Sequence, residues 1–275
     1  MKIAIATDTN SGITKEIGKK IGVYTLPMPV IIDDKTYFEC VDITNSELYK
    51  AMREHKNISS SQPSPEQLIS LWDRIFSDGY SEIVYIPMSS GLSGSCSNAM
   101  LFAKEYDGKV LVVDNHRISV TQEESVFTAL SLAKKGYTAA EIKDILEANA
   151  YNSSCYVSVD SMEYLKKGGR VTPMAATFAT VLNIKPVLTI QGDKLDAFAK
   201  VRGMKQAQDK MIEAIKNDRD VRFGDAPNEI LQIKTAGTFE NEQDAEEWLE
   251  KVRPHFPKVR LHILTCLAAL PVMSA

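Results

Sequence analysis

Long hydrophobic runs are missing from this 275-residue sequence. None approaches the roughly 18 to 20 consecutive apolar residues that cross a bilayer, which argues against stable membrane insertion. A positive surplus is missing too. Lys and Arg number 32 against 36 Asp and Glu, a net charge of -4, which argues against a dedicated nucleic-acid binder. Cysteine is scarce. Cys40, Cys96, Cys155 and Cys266 are scattered without a CxxC pair. In a chain this long they read as reduced thiols of a cytoplasmic protein. His55, His116, His255 and His262 are equally dispersed, so no spacing proposes a metal site. The phosphate-cradling GxxxxGK[ST] and GxGxxG patterns are absent, which leaves a nucleotide cofactor unsupported. Met1 to Asp8 reads as a strand that turns acidic too soon for a secretory signal. No internal repeat or low-complexity linker interrupts the chain. What is present is an ordinary globular balance, 44% hydrophobic and 25% charged, enough for one large or two medium domains.

The patterning predicts alternation of strand and helix. Lys2 to Thr7, Glu82 to Met88 and Lys109 to Val113 are short aliphatic runs ending in polar residues, as buried strands do. Ser64-Pro65-Glu66-Gln67 is a helix start, with Ser as cap, Pro at the first helical position and Gln three residues after the cap. Val120 to Lys134 and Thr138 to Ala148 also read as helices. Strands separated by helices imply crossover connections and a mostly parallel sheet. From about Tyr156 the pattern changes. Val187 to Ile190 and Leu195 to Ala199 flank a Gln-Gly-Asp-Lys turn as a hairpin. Helices over Gly203 to Lys216 and Glu242 to Val252 alternate with strands over Glu229 to Thr235 and Val259 to Leu264. Lys216 to Pro227 reads as a surface loop. Ala175 to Leu182 is apolar nearly all round and reads as a helix buried on several sides. The expected fold is α/β in two domains: residues 1–152 with a mostly parallel sheet flanked by helices, and residues 153–275 with a mixed sheet.

Polar stretches fall where strands should end: Asp8-Thr9-Asn10-Ser11-Gly12, Ser59-Ser60-Ser61-Gln62-Pro63, and Ser89-Ser90-Gly91-Leu92-Ser93-Gly94-Ser95. Ligands of open parallel sheets bind beyond the carboxyl ends of strands. Hydroxyls and glycine at a helix start offer donors to an anion. Each loop alone also reads as ordinary caps and turns. Gly91-Leu92-Ser93-Gly94-Ser95 nearly matches the nucleophile elbow GxSxG but ends in Ser, so a serine hydrolase or phosphotransfer enzyme using Ser93 is the alternative function. Lys167-Gly168-Gly169-Arg170 places a permanent cation at a further loop, where it can grip a carboxylate or stand as a plain basic turn. Arg202-Gly203, also after a strand, reads as a second anion contact or as an ordinary helix start.

Taken in order, these stretches resemble the DegV family of bacterial fatty-acid-binding proteins, which includes the binding subunits of fatty acid kinase. The resemblance is carried by Thr7-Asp8-Thr9, Ser60-Ser61-Gln62-Pro63, Ser89 to Ser95, Val112-Val113-Asp114, Lys167 to Arg170, Lys185-Pro186-Val187 and Val201-Arg202. It implies a long-chain fatty acid such as palmitate held between two domains, with its carboxylate on Ser60 and Ser93, Ser61 and Gly94 beside them, and Arg170 in the same network. It also implies a partner kinase subunit that phosphorylates the bound acid. The binding protein then supplies no catalysis and needs no cofactor. The family usually carries Thr where Ser60 stands, so a methyl is lost and the hydroxyl kept.

The resemblance fails at the end of the chain. The family's His-x-Gly-x-Gly-Ala stretch is replaced by Leu264 to Ala275, and His262 lacks the following glycines. The expectation is either a head-group network without its histidine, with weaker binding, or a tail altered or truncated relative to the family, as a reading-frame change would produce. A chain of about 16 carbons has roughly 14 methylenes at about 0.8 kcal/mol each, a gross drive of about 11 kcal/mol. Such a tail calls for a long apolar tunnel, with Ala175 to Leu182 as a candidate wall.

Overall fold

The computed structural model describes residues 2–180, 184–239, 242–257 and 259–265. The chain opens with β1 (Ile3–Asp8), α1 (Lys15–Ile21) and β2 (Val23–Leu26). A detour follows through β3 (Pro29–Ile32), β4 (Lys35–Phe38), α2 (Asn45–Arg53) and β5 (Ile58–Ser60). Then come α3 (Pro65–Ser77), β6 (Glu82–Ile86), α4 (Ser95–Ala103), β7 (Val110–Val112), α5 (Val120–Lys134) and α6 (Ala139–Ala148). The second half runs β8 (Cys155–Ser158), α7 (Glu163–Gly168), α8 (Pro173–Ala176), β9 (Ile184–Ile190) and β10 (Asp196–Arg202). It continues with α9 (Met204–Asn217), β11 (Gln232–Gly237), α10 (Glu242–Val252) and β12 (Arg260–Thr265).

The first sheet has the order β2-β1-β6-β7 and every pair is parallel. Side chains alternate across it, as the two-residue strand period requires. Ala4, Ala6, Ile83, Tyr85, Val110 and Val112 face α3 and α4, where Trp72 and Ile75 are fully buried. Ile5, Val84 and Ile86 face α5 and α6 through Val126, Ala129 and Ile142. A sheet buried on both faces explains why its strands read as aliphatic runs. The start of α3 is as its sequence predicts: Ser64 and Gln67 form a reciprocal capping box, with Pro65 at the first turn.

The detour builds a small antiparallel sheet, β4-β3-β5, that the strand patterning does not announce. Its hairpin turns on Asp33 and Asp34, both at positive φ (47° and 67°), the backbone of a tight primed turn. In the second half, antiparallel and parallel pairing are both present on separate sheets. β10-β9-β8 is antiparallel and β11-β12 is a parallel pair.

Two segments differ from expectation. The stretch 216–227 is not a plain loop: α9 passes into a π-helical turn, Asp218–Arg222. The Arg222 guanidinium donates to the Ser153 carbonyl (3.2 Å), Ser154 Oγ (2.9 Å), Gln191 Oε1 (2.9 Å) and the Tyr151 carbonyl. That fork pins the turn to the 151–154 junction of the halves and to Gln191. The expected helix over Ala175 to Leu182 is α8 followed by a 3₁₀ turn, Thr177–Thr180, with Ala175 and Phe178 buried and Met174 exposed. Val181 and Leu182 lie outside the described residues, as does the altered tail from Cys266 onward.

Candidate functional site

The ends of β1, β5 and β6 converge on one small pocket. It is lined by Asn10, Met28, Glu39, Ser60, Ser61, Met88, Ser93 and Arg170. Four of the five residues singled out from the sequence are therefore neighbours around one cavity. The fifth, Gly94, stands behind Ser93 in the same loop and against the Ser-Gln-Pro segment. A Cβ added to it would lie 3.3 Å from Gln62 Oε1. Arg202 does not line the pocket. It closes β10, and its backbone N–H donates to Gln206 Oε1 (3.0 Å).

Each lining residue is placed by local chemistry. Ser60 ends β5 and pairs with Val30. Ser61 N–H donates to the Pro29 carbonyl (3.3 Å). Ser93 Oγ accepts the Ser95 N–H at the start of α4 (3.1 Å), which leaves the hydroxyl proton available to an acceptor. The Ser89 to Ser95 loop is held from several sides. Ser89 Oγ donates to the Gly192 carbonyl, and Ser90 N–H donates to Asp114 Oδ1 (3.2 Å). Gly91 has a steric reason to be glycine. A Cβ there would sit 2.7 Å from the Gly192 carbonyl oxygen and 2.7 Å from Asp193 Cα, so any side chain pushes the loop off the β9–β10 turn. Arg170 Nε donates to the Leu92 carbonyl (3.3 Å) and its Nη1 to the Gly168 carbonyl (2.7 Å). It therefore braces the loop that carries Ser93 while lining the pocket.

Beneath this cap lies a buried polar network. Asp8 ends β1; its Oδ2 accepts the Met88 N–H (2.9 Å), and its Oδ1 accepts from the Asn10 N–H (3.0 Å) and Gln122 Nε2 (3.1 Å). Burial raises its carboxyl pKa against the pull of these donors. Thr9 Oγ1 accepts the Met28 N–H (3.0 Å) and donates to Glu39 Oε2 (2.5 Å). Burial, with the Asp8 charge adding, pushes Glu39 up to about 7 against the opposing Thr9 hydrogen bond. Asn10 is buried, and its Nδ2 has no partner in hydrogen-bond geometry among the described residues. Sequence reasoning missed Glu39 and gave Asn10 no role of its own. A lone Glu in the irregular stretch after β4 reads as a surface charge.

The apolar floor is shared by both halves. Met28, Met88, Leu92 and Ile118 pack with Met162, Leu165, Val171, Ala175, Phe178 and Leu188. Here the structure departs from the expected tunnel. The pocket encloses about 20 Å³, room for a water-sized group and far less than an alkyl chain needs. A larger cavity lies elsewhere among the described residues. It has a volume of about 930 Å³ between α5 and α6 on one side and α9 and β11 on the other. None of the five residues lines it, and Arg117, Arg219, Asp218 and Lys234 give it a charged wall.

The arrangement is an α/β frame with hydroxyls and a cation gathered at strand ends above an apolar cluster. The family model described as "Uncharacterised protein, DegV family" matches residues 2–272, and the chain belongs to the DegV family. Among its relatives, a DegV domain-containing protein of Deinococcus radiodurans is 31% identical over 217 residues, 78% of this chain and 77% of that protein. One from Caldanaerobacter subterraneus is 30% identical over 252 residues, 91% and 86% of the two chains. Among solved structures, a DegV family protein from Thermus thermophilus described as fatty-acid binding superposes with a TM-score of 0.85 at 25% identity. It covers all of this chain and 96% of its own. A fatty-acid-binding DegV protein from Streptococcus agalactiae gives 0.83 at 25% identity, covering 100% and 95%.

Proposed function

We propose that this protein binds a long-chain fatty acid between residues 1–152 and 153–275 and presents its carboxylate to a partner kinase that makes the acyl phosphate. Ser60, Ser61 and Ser93 donate to the carboxylate, Gly94 lets the loop approach, and Arg170 braces the loop and supplies positive charge. One observation carries the reading: Ser60, Ser61, Ser93 and Arg170 line one pocket above a shared apolar cluster. The two relatives at 25% identity described as fatty-acid binders support it. The kinase step and the acyl-carrier role without catalysis rest on the family resemblance.

Because the pocket is small, the acyl chain enters by replacing side-chain contacts. Met28, Met88 and Met162 are suited to that, since unbranched thioethers repack at low cost. Ser93 as an enzymatic nucleophile finds less support, because among the described residues that line its pocket there is no histidine to act as its base.

Native mass spectrometry of the purified full chain tests the reading. The expected result is a co-purified C14 to C18 acid, and a rise in melting temperature when palmitate is returned to delipidated protein. Ser93→Ala should retain palmitate roughly tenfold to a hundredfold less well, since one hydrogen bond to a charged group is worth about 1.5 to 3 kcal/mol. A protein that binds no acid and gains no thermal stability from palmitate contradicts the proposal. Adding a fatty acid kinase catalytic subunit and ATP to the loaded protein should yield an acyl phosphate that hydroxylamine traps.

A further inference from the structure

The carrier reading leaves a buried carboxyl in the wall of a pocket meant for a carboxylate. Glu39 is 6% exposed and lines the same cavity as Ser60, Ser61, Ser93 and Arg170. It is not a stray surface group. Its backbone N–H donates to the Met28 carbonyl (3.0 Å), it bridges to Ile43, and Thr9 holds its Oε2. Beside it stands Asn10, a buried amide whose Nδ2 meets no partner in strict hydrogen-bond geometry among the described residues and whose side chain leans towards the Asp8 carboxylate. Two ionised carboxylates cannot share a small dry pocket without a large repulsion, so one proton must be shared between them.

We infer that Glu39 is a head-group contact that binds the fatty acid in its neutral form, donating its proton to the acid's carboxylate while the Asn10 amide supplies a second donor. The inference rests on the carrier reading and deepens it. Thr9 donates to Oε2, which puts the Glu39 proton on Oε1 and leaves it to the ligand. The proton is taken from solvent when Glu39 is ionised beforehand. No bond other than this hydrogen bond forms, and the acid stays an anion paired with a neutral acid.

The groups that act on Glu39 set the direction of the pH response. Asp8, at the end of β1, is buried and adds negative potential. Arg170 is the cation among the lining residues. Cys40, next in sequence, has its thiol pushed up to about 11, by burial first and then by Glu39 and Glu16 on α1. It is therefore neutral across the useful range. With Glu39 free at about 7, the unloaded protein carries a mixed population at neutral pH. A bound carboxylate adds one more negative charge and drives Glu39 to the neutral form. Loading then takes up roughly half a proton at about pH 7 and close to one proton near about pH 8.5, where affinity falls by up to about tenfold per pH unit. Well below pH 7 Glu39 is already neutral and the dependence vanishes.

The test is isothermal titration of delipidated full-length protein with laurate and palmitate, at about pH 6, 7 and 8.5, in buffers of different ionisation enthalpy. The slope of heat against buffer enthalpy gives the proton count. Wild type should show uptake that grows with pH. Glu39→Gln keeps a donor but cannot titrate. It should lose the uptake and bind roughly tenfold or more tighter than wild type at about pH 8.5. If Glu39→Gln fails to fold, difference infrared spectra of wild type loaded with ¹³C-carboxyl palmitate decide instead. A gain in protonated protein carboxyl on loading supports the inference, and no change overturns it. Binding without proton uptake at any pH overturns this inference and leaves the carrier reading standing. No binding of either acid at any pH overturns the carrier reading itself.

Discussion

The two halves of the chain bury themselves differently. The first rests on a parallel sheet sandwiched between helix pairs, with Trp72 fully buried and packed edge-on against Tyr85 and Tyr106. The second spreads over a three-stranded antiparallel sheet and a separate parallel pair. In β10 exposed and half-buried residues alternate along the whole strand. The smaller cluster around Ile212, Val252 and Phe256 serves the parallel pair. Strand ends of the thick half carry the hydroxyls and buried carboxyls of the pocket. The thin half contributes Arg170 and much of the apolar floor. The polar geometry of the pocket sits mostly on the first half, and its apolar floor is shared by both.

The sharpest way to break this contrast is in the thick half. Trp72→Ala should cost about 3 to 5 kcal/mol in chemical denaturation. Ile212→Val in the thin half should cost about 1 kcal/mol. Equal losses would mean the halves are equally braced. Next in size is the clasp between them. Lys234 on β11 makes 2.8 Å ion pairs with Glu123 and Glu124 on α5, and its side chain and that of Glu123 are only 10% and 11% exposed. Lys234→Met strands those carboxylates and should cost about 3 kcal/mol. Hydrogen exchange should show the loss first at β11 and α5.

A third test uses pH. Glu39, ordinarily near 4.5, stands at about 7 in the folded chain. The native state therefore holds a proton that the unfolded chain releases. The stability this gives is full below about 4.5, declines as pH rises to about 7, and is flat above. Asp8 acts in the same direction. Glu39→Gln should flatten the melting-temperature profile and raise stability above neutral pH by a few kcal/mol. A profile identical to wild type would place Glu39 in water. The smallest effect concerns the seat of the loop. Gly91→Ala should cost about 1 to 3 kcal/mol, since the new methyl meets backbone of the β9–β10 turn. Palmitate retention should fall with it.

Regular elements were the legible part of the sequence. The helix α5 spans Val120–Lys134 and α10 spans Glu242–Val252, matching the residues that their patterns propose. Ser60, Ser93 and Arg170 stood out because hydroxyls, glycines and a cation cluster where strands end, and the pocket gathers them. The small β4-β3-β5 sheet was not legible. Its strands are short, β4 is largely exposed, and the Asp33-Asp34 turn lacks the glycine that flags a hairpin. Glu39 was hidden for the same reason, because its burial is created by that sheet and by Thr9 and Met28 reaching across from β1 and β3. The small size of the pocket was also out of reach, since apolar patterning reports burial and not whether buried side chains leave a channel. The turn at 218–222 reads as a charged loop, and only the carbonyls that Arg222 meets make it structure.

A crystal structure of the full chain loaded with palmitate is the most direct test of where the acid lies. The account predicts a carboxylate within hydrogen-bond distance of Ser60 and Ser93, with Met28 and Met88 displaced and the alkyl chain running into the cluster around Phe178. An acid lodged instead in the cavity between α5, α6, α9 and β11, with the serine pocket unchanged, would contradict it.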